Sequence, residues 1–291
     1  MASTIALKRR ISSVKNTRQI TKAMELVSAS KMRRAQENAK RSREYQELAY
    51  SLLARMSSLQ EVERHPLFEP RKLKSRLYIV ITSNSGLAGA YNANSLKILA
   101  HSILEDKEKK IDAKVITIGK KGAQFVRRLN GVELFAVYPA FGDNPTPNDI
   151  RPILKTILDE FRLKKVDEIS IVFTKYKSNL VQTATSLSLL PASTAQASEN
   201  LEYKYQFSNF EPSAEEVIDS VAERLLEVQL WQCLLESLAS EHSMRMMAMK
   251  NASDNANDII GDLTLEFNTA RQAGITRELA EISGGVEALK D

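Results

Sequence analysis

All eight prolines of this 291-residue chain lie between Pro66 and Pro212, and residues 1–65 contain no glycine either. Proline inside a helix costs ~3 kcal/mol, because it removes a backbone donor and clashes with the preceding turn. Long stretches without it are what continuous helical rods require. The pattern therefore predicts three parts: an N-terminal coiled-coil helix over 1–65, a central domain over 66–212 and a C-terminal coiled-coil helix over 213–291.

The C-terminal rod opens with Ser213 and Glu216 at capping-box spacing. From there Ile218, Val221, Leu225, Val228, Leu235, His242, Met246, Met249, Ala256, Ile260, Leu263, Phe267 and Ala270 fall on one alternating three-and-four stripe, with Gln232, Ala239 and Ser253 as its small or polar members. So long a register is a coiled-coil signal. On the first rod Leu7, Ile11 and Val14 share a stripe, Ile20, Met24 and Val27 drift around it, and Leu48, Leu52, Met56 and Leu59 restore it. The drift predicts local changes in supercoiling.

One rod enters the central domain and the other leaves it, so pairing within the chain must be antiparallel. At 1.5 Å per residue, a first helix of about 56 residues spans ~84 Å and a second of about 77 spans ~115 Å. The C-terminal end then overshoots by ~30 Å. That overhang still carries Ile275, Leu279, Ile282, Val286 and Leu289 beside Arg271, Arg277, Glu278 and Glu281. A bare apolar stripe of this length aggregates unless a second copy or a sleeve of other subunits covers it. Gly274, Gly284 and Gly285 weaken the tip as a helix, so fraying is the alternative.

The formal charge of +5 conceals an asymmetry: residues 1–60 carry thirteen Lys and Arg against four acids, which leaves the rest slightly acidic. A basic first helix suits an anionic partner or a solvated face. A nucleic-acid arm is disfavoured, because its basic residues surround coiled-coil positions with no interleaved aromatic for stacking. Cys233 is the only cysteine, which excludes an internal disulfide or a cysteine metal cluster and fits a reducing compartment. The basic opening overlaps the composition of a transit peptide, but the helical pattern runs straight through it. No apolar stretch reaches the roughly 18 residues of a membrane span.

In the middle, Leu77–Thr82, Lys114–Ile118 and Ile169–Thr174 read as buried strands, with Val181–Leu189 as an additional one. Helical patterns lie at Asn94–Lys107, Lys120–Leu129 and Asn148–Lys164. Alternating strand and helix predicts an open α/β, Rossmann-like sheet. The turn from Gly86 to Asn92 stands where dinucleotide folds place a phosphate loop, yet it lacks the Gly-x-Gly-x-x-Gly spacing, and no Gly-Lys-Ser/Thr loop occurs anywhere. A tight structural turn is the better reading, with a nucleotide-dependent enzyme as the competing one. His65, His101 and His242 are far apart, no His-Glu-x-x-His pair exists, and Asp254 and Asp258 fit a solvated helix face.

Two runs at opposite ends decide a family resemblance. RISSVKNTRQITKAM over 10–24 and SASKMRRA over 28–35, then Ser240-Glu-His, Met249-Lys, Ser253-Asp-Asn-Ala, Ala270-Arg-Gln-Ala and Ile275-Thr-Arg-Glu-Leu, resemble the gamma subunits of rotary F-type ATP synthases across essentially the whole chain. The central turn departs: that family usually has Asp-Arg-Gly-Leu-Cys-Gly-Gly where this chain has Asn84 to Ala90. No cysteine pair of the redox-sensitive chloroplast form is present, so a bacterial type is expected.

The resemblance implies an α/β domain plus a long antiparallel coiled coil that acts as a rotor shaft. Such a shaft couples ion flow through a membrane c ring to ATP synthesis or hydrolysis and regulates ATPase activity. Its implied partners are three alpha and three beta subunits, an epsilon subunit and the c ring, with no nucleic acid and no membrane insertion. The chain itself would have no catalytic site, metal or cofactor, since ATP, ADP and Mg belong to the alpha and beta subunits. Its place would be peripheral, on the cytoplasmic face of a bacterial inner membrane. By the same resemblance Arg271 and Gln272 engage a beta-subunit loop, Lys22, Met24 and Arg245 form the neck of the coiled coil, and Ile275, Glu278, Leu279 and Glu281 belong to the covered tip. Charge makes Arg10, Lys15 and Arg18 candidates for meeting acidic ring loops.

Overall fold

The computed structural model describes residues 4–56, 65–142, 145–192 and 214–288, the side chains of 44–56, 214–218, 284 and 286–288 excepted. Several expectations lie outside those residues: the Ser213–Glu216 cap, the seam positions Leu48, Leu52, Met56, Leu59 and Ile218, and the tip positions Val286 and Leu289. Helix α1 runs from Thr4 to Met56 and is followed by β1 (Ser75–Ile81), α2 (Tyr91–Glu108), β2 (Asp112–Ile118), α3 (Lys120–Val126), β3 (Glu133–Tyr138), α4 (Pro147–Arg162), β4 (Glu168–Tyr176), β5 (Gln182–Leu190) and α5 (Ala214–Ala288). Both proline-poor ends are thus single helices, of 53 and 75 residues.

The chain groups into two compact units, Met1–Ser28 with Arg245–Asp291, and Ala29–Met244. In the first, helices from the two ends of the chain pair antiparallel. Leu7 is only 1% exposed, Ile11, Val14, Arg18 and Thr21 are half-buried and Ser28 is buried. On α5, Met249, Ser253 and Ala256 are buried, and Ile260, Leu263, Phe267 and Ala270 are half-buried. Arg18 Nη1 donates to Asn257 Oδ1 at 2.8 Å across the pair.

The seam of α1 keeps a steady three-four spacing where drift was expected. Ile20 and Val27 are 61% and 53% exposed, and the seam positions go to Thr21 and Ser28 instead. Ser28 can occupy one because its hydroxyl donates to the Met24 carbonyl at 2.7 Å, which satisfies the group without water. Small residues on both helices let the backbones approach, so the larger apolar residues of this stretch are left outside.

The second unit is built on a five-stranded sheet of order β3-β2-β1-β4-β5. The first four strands are parallel and β5 is antiparallel to β4. Period-two alternation sends Leu77, Ile79 and Ile81 to one face, where they pack with Ile153, Ile157 and Phe161 of α4 and Leu226, Leu230, Leu234 and Leu238 of α5. Tyr78 and Val80 face the other way, onto Leu99 and Ile103 of α2 and Val126 of α3. Fully burying each such side chain stabilises by about 1.5–3 kcal/mol. Asp149 anchors the start of α4, its Oδ2 accepting the Thr146 backbone N–H at 2.7 Å.

Strand β3 escaped the sequence reading because Glu-Leu-Phe-Ala-Val-Tyr carries one β-branched residue and only half-buries its side chains. Its edge position explains both. The central part of α5 differs more from expectation: where one apolar stripe was read, Leu225 to Ser240 are buried on every side apart from half-buried Trp231. Sheet-facing leucines and Ser237 cover one side of it, and Glu227, Gln232 and Glu236 are buried as well.

Candidate functional site

In an open α/β sheet, ligands bind beyond the carboxyl ends of the strands where the strand order reverses. That point here lies between β1 and β4, and α5 fills it. Ser237 Oγ accepts the Thr174 backbone N–H at 3.2 Å and shares a 2.9 Å hydrogen bond with the Tyr91 hydroxyl. Ser240 Oγ donates to the Thr174 carbonyl at 3.1 Å, while Ser95 and Thr174 hydroxyls meet at 3.0 Å. No sequence signal marks these serines for that role. Only the sheet's position shows that they close the crevice.

The neighbouring Gly86–Asn92 turn spends its polar groups on itself. Asn92 Oδ1 accepts the Ser83 backbone N–H at 3.0 Å, and Leu87 and Gly89 take positive φ of 61° and 54°. Asn84 Oδ1 accepts from the backbone of Lys120 (3.3 Å) and Ala140 (3.2 Å), tying together the loops after β1, β2 and β3. Gly119, at φ 98°, approaches so closely that a Cβ there would lie 2.1 Å from the Thr82 carbonyl oxygen.

At the opposite end of β1 a buried polar cluster ties the sheet to α2. Arg76 pairs with Asp106 and, at 3.0 Å, with Glu168; the Tyr78 hydroxyl donates to Asp106 Oδ2 at 2.6 Å. Burial, reinforced by the Asp106 bond, holds the Tyr78 phenol well above its ordinary value. This is a structural clamp. Among the described residues no cluster of His, Cys, Asp or Glu is arranged to hold a metal.

The candidate contact residues lie on the helical unit. Arg10, Lys15 and Lys22 are exposed on α1, with Lys22 also 3.0 Å from Glu25. Arg18 is half-buried by its bond to Asn257 and Met24 is half-buried, whereas Arg245 on α5 is buried. Arg271, Gln272, Glu278 and Glu281 are exposed. Helix α5 continues through Gly274 to Ala288, and near its end Ile275, Leu279 and Ile282 are 47%, 60% and 65% exposed. The overhanging stripe therefore exists as continuous helix, with no cover from the described residues.

A family model described as ATP synthase matches residues 3–289. The ATP synthase gamma chain of Herpetosiphon aurantiacus is 41% identical over 99% of both chains. The chain belongs to the ATP synthase gamma chain family. Among solved structures, a chain of the Euglena gracilis mitochondrial ATP synthase, in a structure of its OSCP, F1 and c-ring, superposes with a TM-score of 0.67 at 17% identity, covering 98% of this chain and 94% of that one. The central stalk and c-ring structure of the Tetrahymena thermophila enzyme has a chain that superposes with a TM-score of 0.62 at 22% identity, over 80% of this chain and 99% of that one. Both likenesses concern the fold. Membership of the gamma family makes this chain a subunit of a membrane-associated ATP synthase, and no helix among its described residues is long and apolar enough to cross a membrane.

Proposed function

We propose that the chain is the central rotor shaft of a rotary ATP synthase, turned by a membrane c ring and turning in turn inside a collar of three alpha and three beta subunits. The observation that carries this reading is the apolar stripe at the end of α5, presented on an unbroken helix with nothing from the described residues to cover it. Such a stripe suits a greasy sleeve in which it rotates without fixed hydrogen bonds. Nucleotide chemistry then belongs to the beta subunits, and the filled β1/β4 crevice favours a mechanical role for the sheet domain, which with an epsilon subunit would seat the shaft on the ring. The assembly would sit on the cytoplasmic face of a bacterial inner membrane.

Arg271 and Gln272 are the proposed grip on a beta-subunit loop, being polar and exposed one helical turn before the bare stripe. Lys22, Met24 and Arg245 would set the neck. Arg10, Lys15 and Arg18 are the charge-based candidates for meeting acidic ring loops.

The test exploits the buried, solitary Cys233. A cysteine introduced at Leu279 is the sole accessible thiol, so it can be cross-linked to a beta subunit selectively. Rotor action requires that the cross-link stop multi-site ATP turnover and that reduction restore it; undiminished turnover of the linked complex defeats the proposal. Changing both Arg271 and Gln272 to Ala is expected to lower ATP-driven torque in a single-molecule rotation assay while leaving assembly intact.

A further inference from the structure

The loops that lead into β1, β2 and β4 gather at the amino-terminal edge of the sheet, held together by backbone bonds from Asp112 to Lys74 (2.8 Å) and from Asp167 to Ser75 (2.9 Å). They carry Lys72, Lys74, Lys109, Lys110 and Lys164, and the last turn of α2 adds Lys107, all exposed. Among the described residues none of these lysines holds an ion pair, whereas Lys114 and Lys165 nearby are engaged by Glu160. Exposed Glu108 and Asp112 offset only part of the charge.

The backbone presents two of these lysines in the same way. Helices α2 and α4 end in the same way, with a lysine in the left-handed region: Lys110 at φ 57° and Lys164 at φ 55°. The next residue closes each end, Ile111 N–H to the Asp106 carbonyl at 2.9 Å and Lys165 N–H to the Glu160 carbonyl at 3.1 Å. Glycine is the unstrained choice at such positions, so lysine is held there against local preference. Beside Lys164, Leu163 is 63% exposed.

We infer that this lysine edge adsorbs to the anionic headgroups of a lipid bilayer. Stereospecific carboxylate partners favour the planar fork of arginine, while flexible, strongly hydrated lysines spread over several loops suit a fluid surface of diffuse negative charge. An exposed leucine among them can dip into the headgroup region. The inference goes beyond the rotor reading and rests on it only for placing the chain beside a membrane.

The experiment uses the chain assembled with alpha and beta subunits and floated with phosphatidylcholine vesicles, with and without phosphatidylglycerol. The parent is compared with a variant carrying Lys72→Gln, Lys109→Gln, Lys110→Gly and Lys164→Gly, whose glycines suit the positive φ, so its melting temperature should not fall. Each lysine near an anionic bilayer is worth a factor of about five, so the loss of four should lower partition to the anionic vesicles by roughly six-hundredfold, and salt should release the parent. Unchanged partition overturns the inference, as does an edge that retains RNA or polyglutamate more tightly than vesicles. Failure to assemble with alpha and beta subunits would count against the rotor reading instead, and the same parent–variant comparison on the full chain alone still decides the lipid contact.

Discussion

Two halves of α5 share one helix and little else. From Leu225 to Ser240 the helix is wrapped on nearly every side, whereas beyond Ala256 none of its described residues is fully buried. Helix formation is thus common to both halves, and burial separates them: the first is core, and the second leaves most of its surface exposed. Burial, and the stability it brings, is accordingly concentrated in one stretch of a continuous helix.

That division can be broken most forcefully at a pair of leucines. Leu234, 1% exposed, lies in the sheet-facing core, and Leu265 is 70% exposed. Leu234→Ala should destabilise the chain by about 2–5 kcal/mol, and Leu265→Ala should stay within about 0.5 kcal/mol, both read by denaturant unfolding. Equal losses would mean that the far half is packed in the free chain.

A smaller effect is expected at the crevice. Ser237→Ala leaves the buried Thr174 N–H without its acceptor and removes the hydrogen bond between Ser237 and the Tyr91 hydroxyl, at a cost of about 1–3 kcal/mol. Isothermal calorimetry with ATP and ADP should still detect no binding to this chain; heat that appears only in the variant would show that the serine plug, and not the lack of a phosphate loop, had kept nucleotides out.

The smallest is a change of slope with pH. Burial pushes the Cys233 thiol above its ordinary 9.0, with the charge of Glu236 adding to the shift. A thiol held neutral in the folded chain contributes stability that is whole below pH 9.0 and is lost as the pH rises beyond it, because only the unfolded chain gives up the proton. Cys233→Ala should therefore make unfolding free energy fall less steeply above that pH, by up to about 1.4 kcal/mol per pH unit. An unaltered slope would place the alkaline sensitivity elsewhere, with Tyr78 the first group to examine by Tyr78→Phe.

Much of this architecture was legible in the chain. Strands β1, β2, β4 and β5 were found within a few residues because β-branched runs between helical patterns have few other uses. The stripe Leu7, Ile11, Val14 and its counterpart from Met249 to Ala270 marked the paired helices correctly. Ile20 and Val27 misled, since an apolar residue marks a seam only when the partner has room for it, and here Thr21 and Ser28 fit more closely. The buried Glu227 and Glu236 of α5 could not have been read as core, because their burial depends on which elements arrive around them. Of the proposed contact residues, Arg271, Gln272, Lys22, Met24 and Arg245 came from family resemblance; no periodicity or spacing singles them out.

What the sequence alone determined is where the chain stays helical, where it turns and that its C-terminal helix outruns its partner. Those properties rest on proline and glycine placement and on rise per residue, which act within a few residues of each other. Only the tertiary structure decided that Ser237 and Ser240 close the strand crevice, that the Leu225–Ser240 stretch of α5 is core, and that lysines from three separate chain segments share one edge. Each depends on groups brought together from distant parts of the chain, and local propensity carries no record of that meeting.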